Sequence, residues 1–160
     1  MPNAFSLTFR SEGEEQTIRL AETIACLLQP GDVLGLEGEL GAGKTVFVRG
    51  IARGLGIGVP VRSPSFVMIS HLKGRLDLFH VDAYRVSHPD QLSEAGFQEI
   101  LEADGVVAVE WADKVASILP SRRLRICLRH LERGREIRIE DLGLNFAQRR
   151  GAEALANPGD

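Results

Sequence analysis

The stretch Gly38-Glu39-Leu40-Gly41-Ala42-Gly43-Lys44-Thr45 has the G-x-x-x-x-G-K-S/T spacing of a phosphate-binding loop. An apolar run at residues 33–36 precedes it, and residues at helical spacing follow it: Val48, Ile51, Ala52 and Leu55. Strand, loop and helix form the context that this motif needs, because the glycines let backbone N–H groups face phosphate oxygens at the positive end of a new helix. We therefore predict a phosphate site made by Gly41, Ala42, Gly43, Lys44, Thr45 and Val46.

The chemistry of this loop indicates the ligand. The Lys44 ammonium can reach the β- and γ-phosphates, which gives it a catalytic role, and the Thr45 hydroxyl can bind Mg²⁺. The chain has no N-K-x-D tetrapeptide, the motif by which GTPases usually recognise guanine, so ATP is favoured by elimination. The alternative is a glycine-rich turn with an exposed lysine.

Two carboxylates are candidates to complete a magnesium-dependent site. Asp82 and Glu110 each follow an apolar run that is typical of a buried strand. Burying a carboxylate at such a position costs free energy unless the carboxylate binds a partner such as a metal ion. A cap or turn role is the alternative for each. Ser65, between the loop helix and the next strand, could place a hydroxyl near the γ-phosphate or could form a Ser-Pro turn.

The remaining pattern predicts an α/β fold: a single P-loop NTPase-like domain whose mixed sheet is parallel in the centre and antiparallel at its edges, with helices on both faces. Ser11 and Glu14 have the spacing of a capping box, which predicts a helix running to about Gln29. Residues 106–109 are apolar on both faces, as in a central strand, while residues 124–128 and 136–140 alternate. The domain is expected over residues 1–147, with a frayed tail at 148–160.

Composition limits the class of protein. With 160 residues, 44% hydrophobic and 26% charged, the chain fits one globular domain. It has no apolar run long enough to cross a membrane, and its two cysteines, Cys26 and Cys127, lack metal spacing; we expect a cytoplasmic protein. Seven arginines fall within residues 122–138. They predict either a pair of strands whose arginines lie on the solvent-exposed face and protect the sheet edge, or a docking surface for an acidic protein or an RNA backbone.

Four ordered landmarks resemble the TsaE (YjeE) family, small bacterial P-loop ATPases of threonylcarbamoyladenosine synthesis in tRNA. They are the phosphate loop, the switch-like segment at 62–66, the H-x-D-x-Y-R match at 80–85 and the V-E-W match at 109–111. The resemblance covers about residues 5 to 140. Two departures are Val46, where a second threonine is common, and Ser65-Phe66 in place of threonine-tyrosine.

The resemblance implies a cytoplasmic ATPase that supports the tRNA-threonylcarbamoyl transferase proteins of the TsaD and TsaB type. By position, Lys44 and Thr45 would hold phosphate and Mg²⁺, Glu110 would be the magnesium-linked glutamate, and Asp82 the catalytic aspartate. Trp111 would lie beside the nucleotide. The sequence leaves direct contact with tRNA open.

Two other functions fit the phosphate loop. A small-molecule kinase would need an acceptor-binding insertion and a lid, for which a chain with such short loops has little room. A nucleotide-dependent binding module would bind ATP with only incidental hydrolysis.

Overall fold

One mixed sheet of seven strands organises the residues that the computed structural model describes, 5–62 and 68–156. The strands are β1 (Ser6–Ser11), β2 (Val33–Gly38), β3 (Ile69–Leu72), β4 (Asp77–Asp82), β5 (Gly105–Glu110), β6 (Arg123–His130) and β7 (Arg135–Leu142). Their order is β1-β7-β6-β2-β5-β4-β3. The pairs β6–β2, β2–β5 and β5–β4 are parallel, and the remaining pairs are antiparallel. The predicted mixed sheet is confirmed.

Helices cover both faces, as predicted. Helices α1 (Glu14–Ala25) and α2 (Lys44–Gly54) pack on one face, and α3 (Pro89–Glu94), α4 (Phe97–Leu101) and a 3₁₀ helix (Ala112–Ile118) pack on the other. A hydrophobic core lies on each face of the sheet, and strand β5 contributes to both. All six of its residues are buried, and alternate side chains point to opposite faces. Within the described ranges, no helix combines the length and apolar character needed to cross a bilayer.

The start of α1 differs from the prediction. Ser11 is not a helix cap but the last residue of β1, and the helix N-cap is Gly13, without a capping side chain. The Ser11 hydroxyl instead lies 2.7 Å from Thr17 Oγ1 and donates to the Gly13 carbonyl oxygen. The capping-box prediction failed because strand pairing with β7 holds Ser11 inside the sheet. The helix also ends at Ala25, short of the predicted end.

The described part of the C-terminal segment packs against the domain, in contrast to the frayed tail that its composition predicts. Two 3₁₀ turns, Phe146–Gln148 and Ala152–Ala156, are present, and Leu155 is buried. Between them, Arg149 forms an ion pair of 2.5 Å with Asp32. Residues 157–160 lie outside the described residues, and the division into domain and tail stays a prediction.

Candidate nucleotide site

A cavity lies at the carboxyl ends of β2, β4 and β5, where α2 begins. Its volume is about 550 Å³, and its lining includes Gly41, Gly43, Lys44, Thr45 and Val46. Ligands of open α/β sheets bind at this end of the strands. The strand–loop–helix context predicted around the motif is therefore present.

The backbone of the loop depends on glycine. Gly43 precedes α2 with φ of +105°, and a Cβ atom at this position would lie 2.0 Å from Nη1 of Arg135. Arg135 Nη1 donates to the carbonyl oxygen of Ala42 at 3.0 Å, so a side chain of β7 fastens the loop from outside. Ala42 itself is fully buried in the core. This turn leaves the first amides of α2 without helical partners, which is how a helix N-terminus binds an anion.

Lys44 is buried at the centre of the site, only 4% exposed. Its Nζ donates to the carbonyl oxygens of Gly38, at 2.6 Å, and Glu39, at 2.8 Å. Burial lowers the pKa of the Lys44 ammonium, and the nearby Glu110, Asp113 and Asp82 carboxylates oppose that shift. An ammonium has three N–H groups, so two are held by the loop and the third can serve a phosphate oxygen.

The first turn of α2 meets the end of β5 through a hydrogen bond. Thr45 Oγ1 donates to Glu110 Oε1 at 2.8 Å, and Glu110 Oε2 lies 2.5 Å from Nε2 of His80. Glu110 is 3% exposed and His80 is fully buried. The Thr45 and Glu110 oxygens suit Mg²⁺, which takes one or two protein carboxylates and completes its shell with phosphates and water. Across the residues described, no cluster of three or more His, Cys, Asp or Glu forms a larger metal cage.

Asp82 lies beside Glu110 because the parallel strands β4 and β5 pair these two residues directly. Its Oδ1 accepts a hydrogen bond from the backbone N–H of Tyr84 at 2.9 Å, and the side chain lines the cavity. The two carboxylates therefore share one edge of the site, in different surroundings.

Trp111 forms one wall of the cavity. It has a left-handed backbone, with φ of 60°, and its ring centroid lies 3.9 Å from Lys44 Nζ and 4.9 Å from the ring of Tyr84. The side chain is half-buried, so it is neither sealed in the core nor free in solvent. Ser65, the predicted switch hydroxyl, lies outside the described residues.

Three charged residues of the cavity wall were not predicted as site residues: Glu14 at the start of α1, Arg85 after β4, and Arg135 at the start of β7. Arg85 ends the H-x-D-x-Y-R match and Glu14 was singled out only for its capping-box spacing from Ser11, whereas Arg135 belongs to no motif. Arg135 reaches the loop because β7 pairs with β6 and β6 pairs with β2, so the strand order brings it there.

The arginine-rich strands form an ion-paired face. Arg125 Nε lies 2.7 Å from a Glu37 carboxylate oxygen, and two further pairs join Arg129 to Glu136 and Arg138 to Glu140. These contacts favour the interpretation of a solvated, charge-balanced surface over that of an RNA or protein docking surface.

Comparison with known proteins gives a consistent result. The family model "Threonylcarbamoyl adenosine biosynthesis protein TsaE" matches residues 11–137. The chain is 41% identical to the tRNA threonylcarbamoyladenosine biosynthesis protein TsaE of Treponema pallidum, over 81% of this chain and 96% of that protein. It is also 41% identical to the Bacillus subtilis protein of the same name, over 88% of this chain and 89% of that protein. A crystal structure of Bacillus subtilis YdiB superposes with a TM-score of 0.80 at 36% identity, covering 96% of this chain and 95% of that one.

Proposed function

The chain belongs to the TsaE family of threonylcarbamoyl adenosine biosynthesis proteins, and on that premise we propose that it hydrolyses Mg-ATP in support of tRNA modification. The modification attaches threonylcarbamoyl to the adenosine beside the anticodon. The observation that carries this proposal is the Thr45–Glu110 hydrogen bond beside the buried Lys44 ammonium. This arrangement supports the proposal because a cation that could bind phosphate lies beside two oxygen-bearing side chains that could bind a metal.

Phosphate binding is assigned to the loop and the first turn of α2. The backbone N–H groups of residues 41–46 would hold the phosphate oxygens, and Lys44 would neutralise the β- and γ-phosphates. The depressed pKa of Lys44 fits this role, because a desolvated ammonium gains strongly from an anionic partner. Gly41 and Val46 line the same cavity.

The two carboxylates are given different roles. Thr45 and Glu110 would hold Mg²⁺, which when bound neutralises charge on the phosphates. Asp82 lines the same cavity and would orient the attacking water beside the γ-phosphate. Trp111 would pack against the bound nucleotide from the side of Lys44.

The partners proposed are the TsaD- and TsaB-type proteins of the tRNA-threonylcarbamoyl transferase. A positive side chain supplied in trans can raise hydrolysis roughly 10³- to 10⁵-fold, so we expect slow hydrolysis by the chain alone and faster hydrolysis in the complex. The cytoplasm is the proposed compartment, since both Cys26 and Cys127 are free thiols.

Two variants test the division of roles. Glu110→Ala should weaken Mg²⁺-dependent ATP binding, whereas Asp82→Asn should bind Mg-ATP normally and hydrolyse it slowly. Calorimetry with and without Mg²⁺, together with phosphate release, separates the two effects. Equal losses of binding in both variants would show that the roles are assigned wrongly.

A further inference from the structure

His80 is a fully buried histidine on β4, two residues before Asp82 and on the same face of the sheet. Its Nε2 lies 2.5 Å from Glu110 Oε2, and its Nδ1 is buried without a hydrogen-bond partner among the residues described. The flanking residues in the sheet register are Ser70 and Ala108. The single polar contact of this ring is thus directed at the Glu110 carboxylate.

This contact fixes which ring nitrogen carries the proton. A carboxylate oxygen only accepts, so Nε2 must be the donor. His80 therefore donates from Nε2 to Glu110 Oε2.

The two oxygens of Glu110 are consequently held separately. His80 holds Oε2 from inside the sheet, while Oε1 accepts from the Thr45 hydroxyl at the cavity. A carboxylate that is 3% exposed has little water to satisfy a released oxygen, so loss of the His80 donor would let the group rotate toward another partner.

We infer that His80 is a positioning residue: it orients the Glu110 carboxylate so that Oε1 faces Thr45 and is already arranged for the cation that accompanies ATP. The inference rests on the proposed Mg-ATP function. His80 is fully buried and would act through Glu110, without touching nucleotide or metal itself. Residues that orient metal ligands in this way typically change metal affinity by 10- to 100-fold when replaced.

Three variants of His80 test the inference. His80→Leu removes the donor and keeps an apolar side chain of similar bulk. His80→Gln places an amide N–H near the former Nε2, whereas His80→Asn is polar but too short to reach it. The matched control is Leu78→Ala, because Leu78 is also fully buried on the same strand and face but is an apolar core residue. It reports general damage to the sheet.

The measurements are ATP affinity by calorimetry without Mg²⁺, and the apparent Mg²⁺ affinity at saturating ATP. Circular dichroism checks folding. We expect His80→Leu to lower the apparent Mg²⁺ affinity roughly 10- to 100-fold while Mg²⁺-free ATP affinity is unchanged. His80→Gln should recover most of the loss and His80→Asn should not. Leu78→Ala should keep the wild-type Mg²⁺ affinity despite its lower stability.

Several outcomes would overturn the inference. The first is a His80→Leu protein with the Mg²⁺ affinity of the wild type. The second is a Leu78→Ala protein that loses as much Mg²⁺ affinity as His80→Leu does. The third is a folded His80→Leu protein whose ATP affinity falls by the same factor with and without Mg²⁺. If His80→Leu does not fold, equal Mg²⁺ affinities in the Gln and Asn variants decide against it. A wild-type protein whose ATP binding ignores Mg²⁺ would instead refute the proposed metal site, and the role of His80 with it.

Discussion

Gly50 lies in the middle of α2 at its closest approach to α1. A Cβ atom at this position would be 2.5 Å from Ala21 Cβ and 2.7 Å from the Ile18 carbonyl oxygen. Since non-bonded carbon atoms prefer about 3.5–4.0 Å, a Gly50→Ala substitution would force the helices about 1 Å apart. Overpacking of this kind costs about 1–3 kcal/mol, and no rotamer of alanine can relieve it.

The expected net effect is a loss of stability. Alanine has a higher helix propensity than glycine, which favours the folded variant by about 1 kcal/mol. This gain offsets part of the overpacking cost, which we place at the upper end of the range, about 3 kcal/mol. We therefore expect Gly50→Ala to lower the free energy of unfolding by about 2 kcal/mol, and Tm by roughly 4–8 °C. Because Lys44 and Thr45 form the first turn of the same helix, ATP affinity should fall as well.

Urea unfolding and calorimetric ATP titration measure both effects. Gly58→Ala is the matched control, because its Cβ would meet nothing within 4 Å. It should match the wild-type stability or exceed it by up to about 1 kcal/mol. If Gly50→Ala has the stability and the ATP affinity of the wild type, the close approach of α1 and α2 is not the reason that position 50 requires glycine.

Three further predictions concern other parts of the molecule. Arg149→Ala should lower the free energy of unfolding by about 3–5 kcal/mol, because it leaves the buried Asp32 carboxylate unpaired; unchanged urea unfolding would contradict this. Burial raises the pKa of the Cys127 thiol, so less thiolate is present at a given pH and iodoacetamide should modify the native protein more slowly than the urea-unfolded protein, with the rate rising toward alkaline pH. Equal native and unfolded rates at neutral pH, by peptide mapping, would speak against it. Mg-ATP should shift or quench the emission of Trp111, the only tryptophan, because its ring covers Lys44; Lys44→Ala should show no response, and a wild-type spectrum unchanged at saturating ATP would remove Trp111 from the site.

Features set by local sequence were predictable. The phosphate loop depends on neighbouring residues, so its spacing and flanks predicted that Lys44 and Thr45 begin a helix after a strand and loop. Asp82 and Glu110 were candidates because both end apolar runs, and the parallel strands β4 and β5 do bring these ends together. The αL glycine at 43 follows from the same motif.

Features set by strand order were not predictable. Arg135 is far from the loop in sequence and reaches Ala42 because β7 pairs with β6, which in turn pairs with β2. The ion pair between Arg149 and Asp32 likewise joins residues that are far apart in sequence. Neither residue belongs to a sequence motif, so the contact that holds the C-terminal segment could not be predicted. Ser11 failed as a helix cap because pairing between β1 and β7 outweighed a local capping pattern.

Phosphate release from ATP is the decisive measurement of the proposed activity. The assay compares the wild-type chain with folded Lys44→Ala, with and without Mg²⁺ and with and without the TsaD- and TsaB-type partner proteins. We expect slow, Mg²⁺-dependent release by the wild type, faster release with the partners, and none from Lys44→Ala, whose loop lacks its buried cation. Release at the wild-type rate by folded Lys44→Ala would contradict the proposed activity.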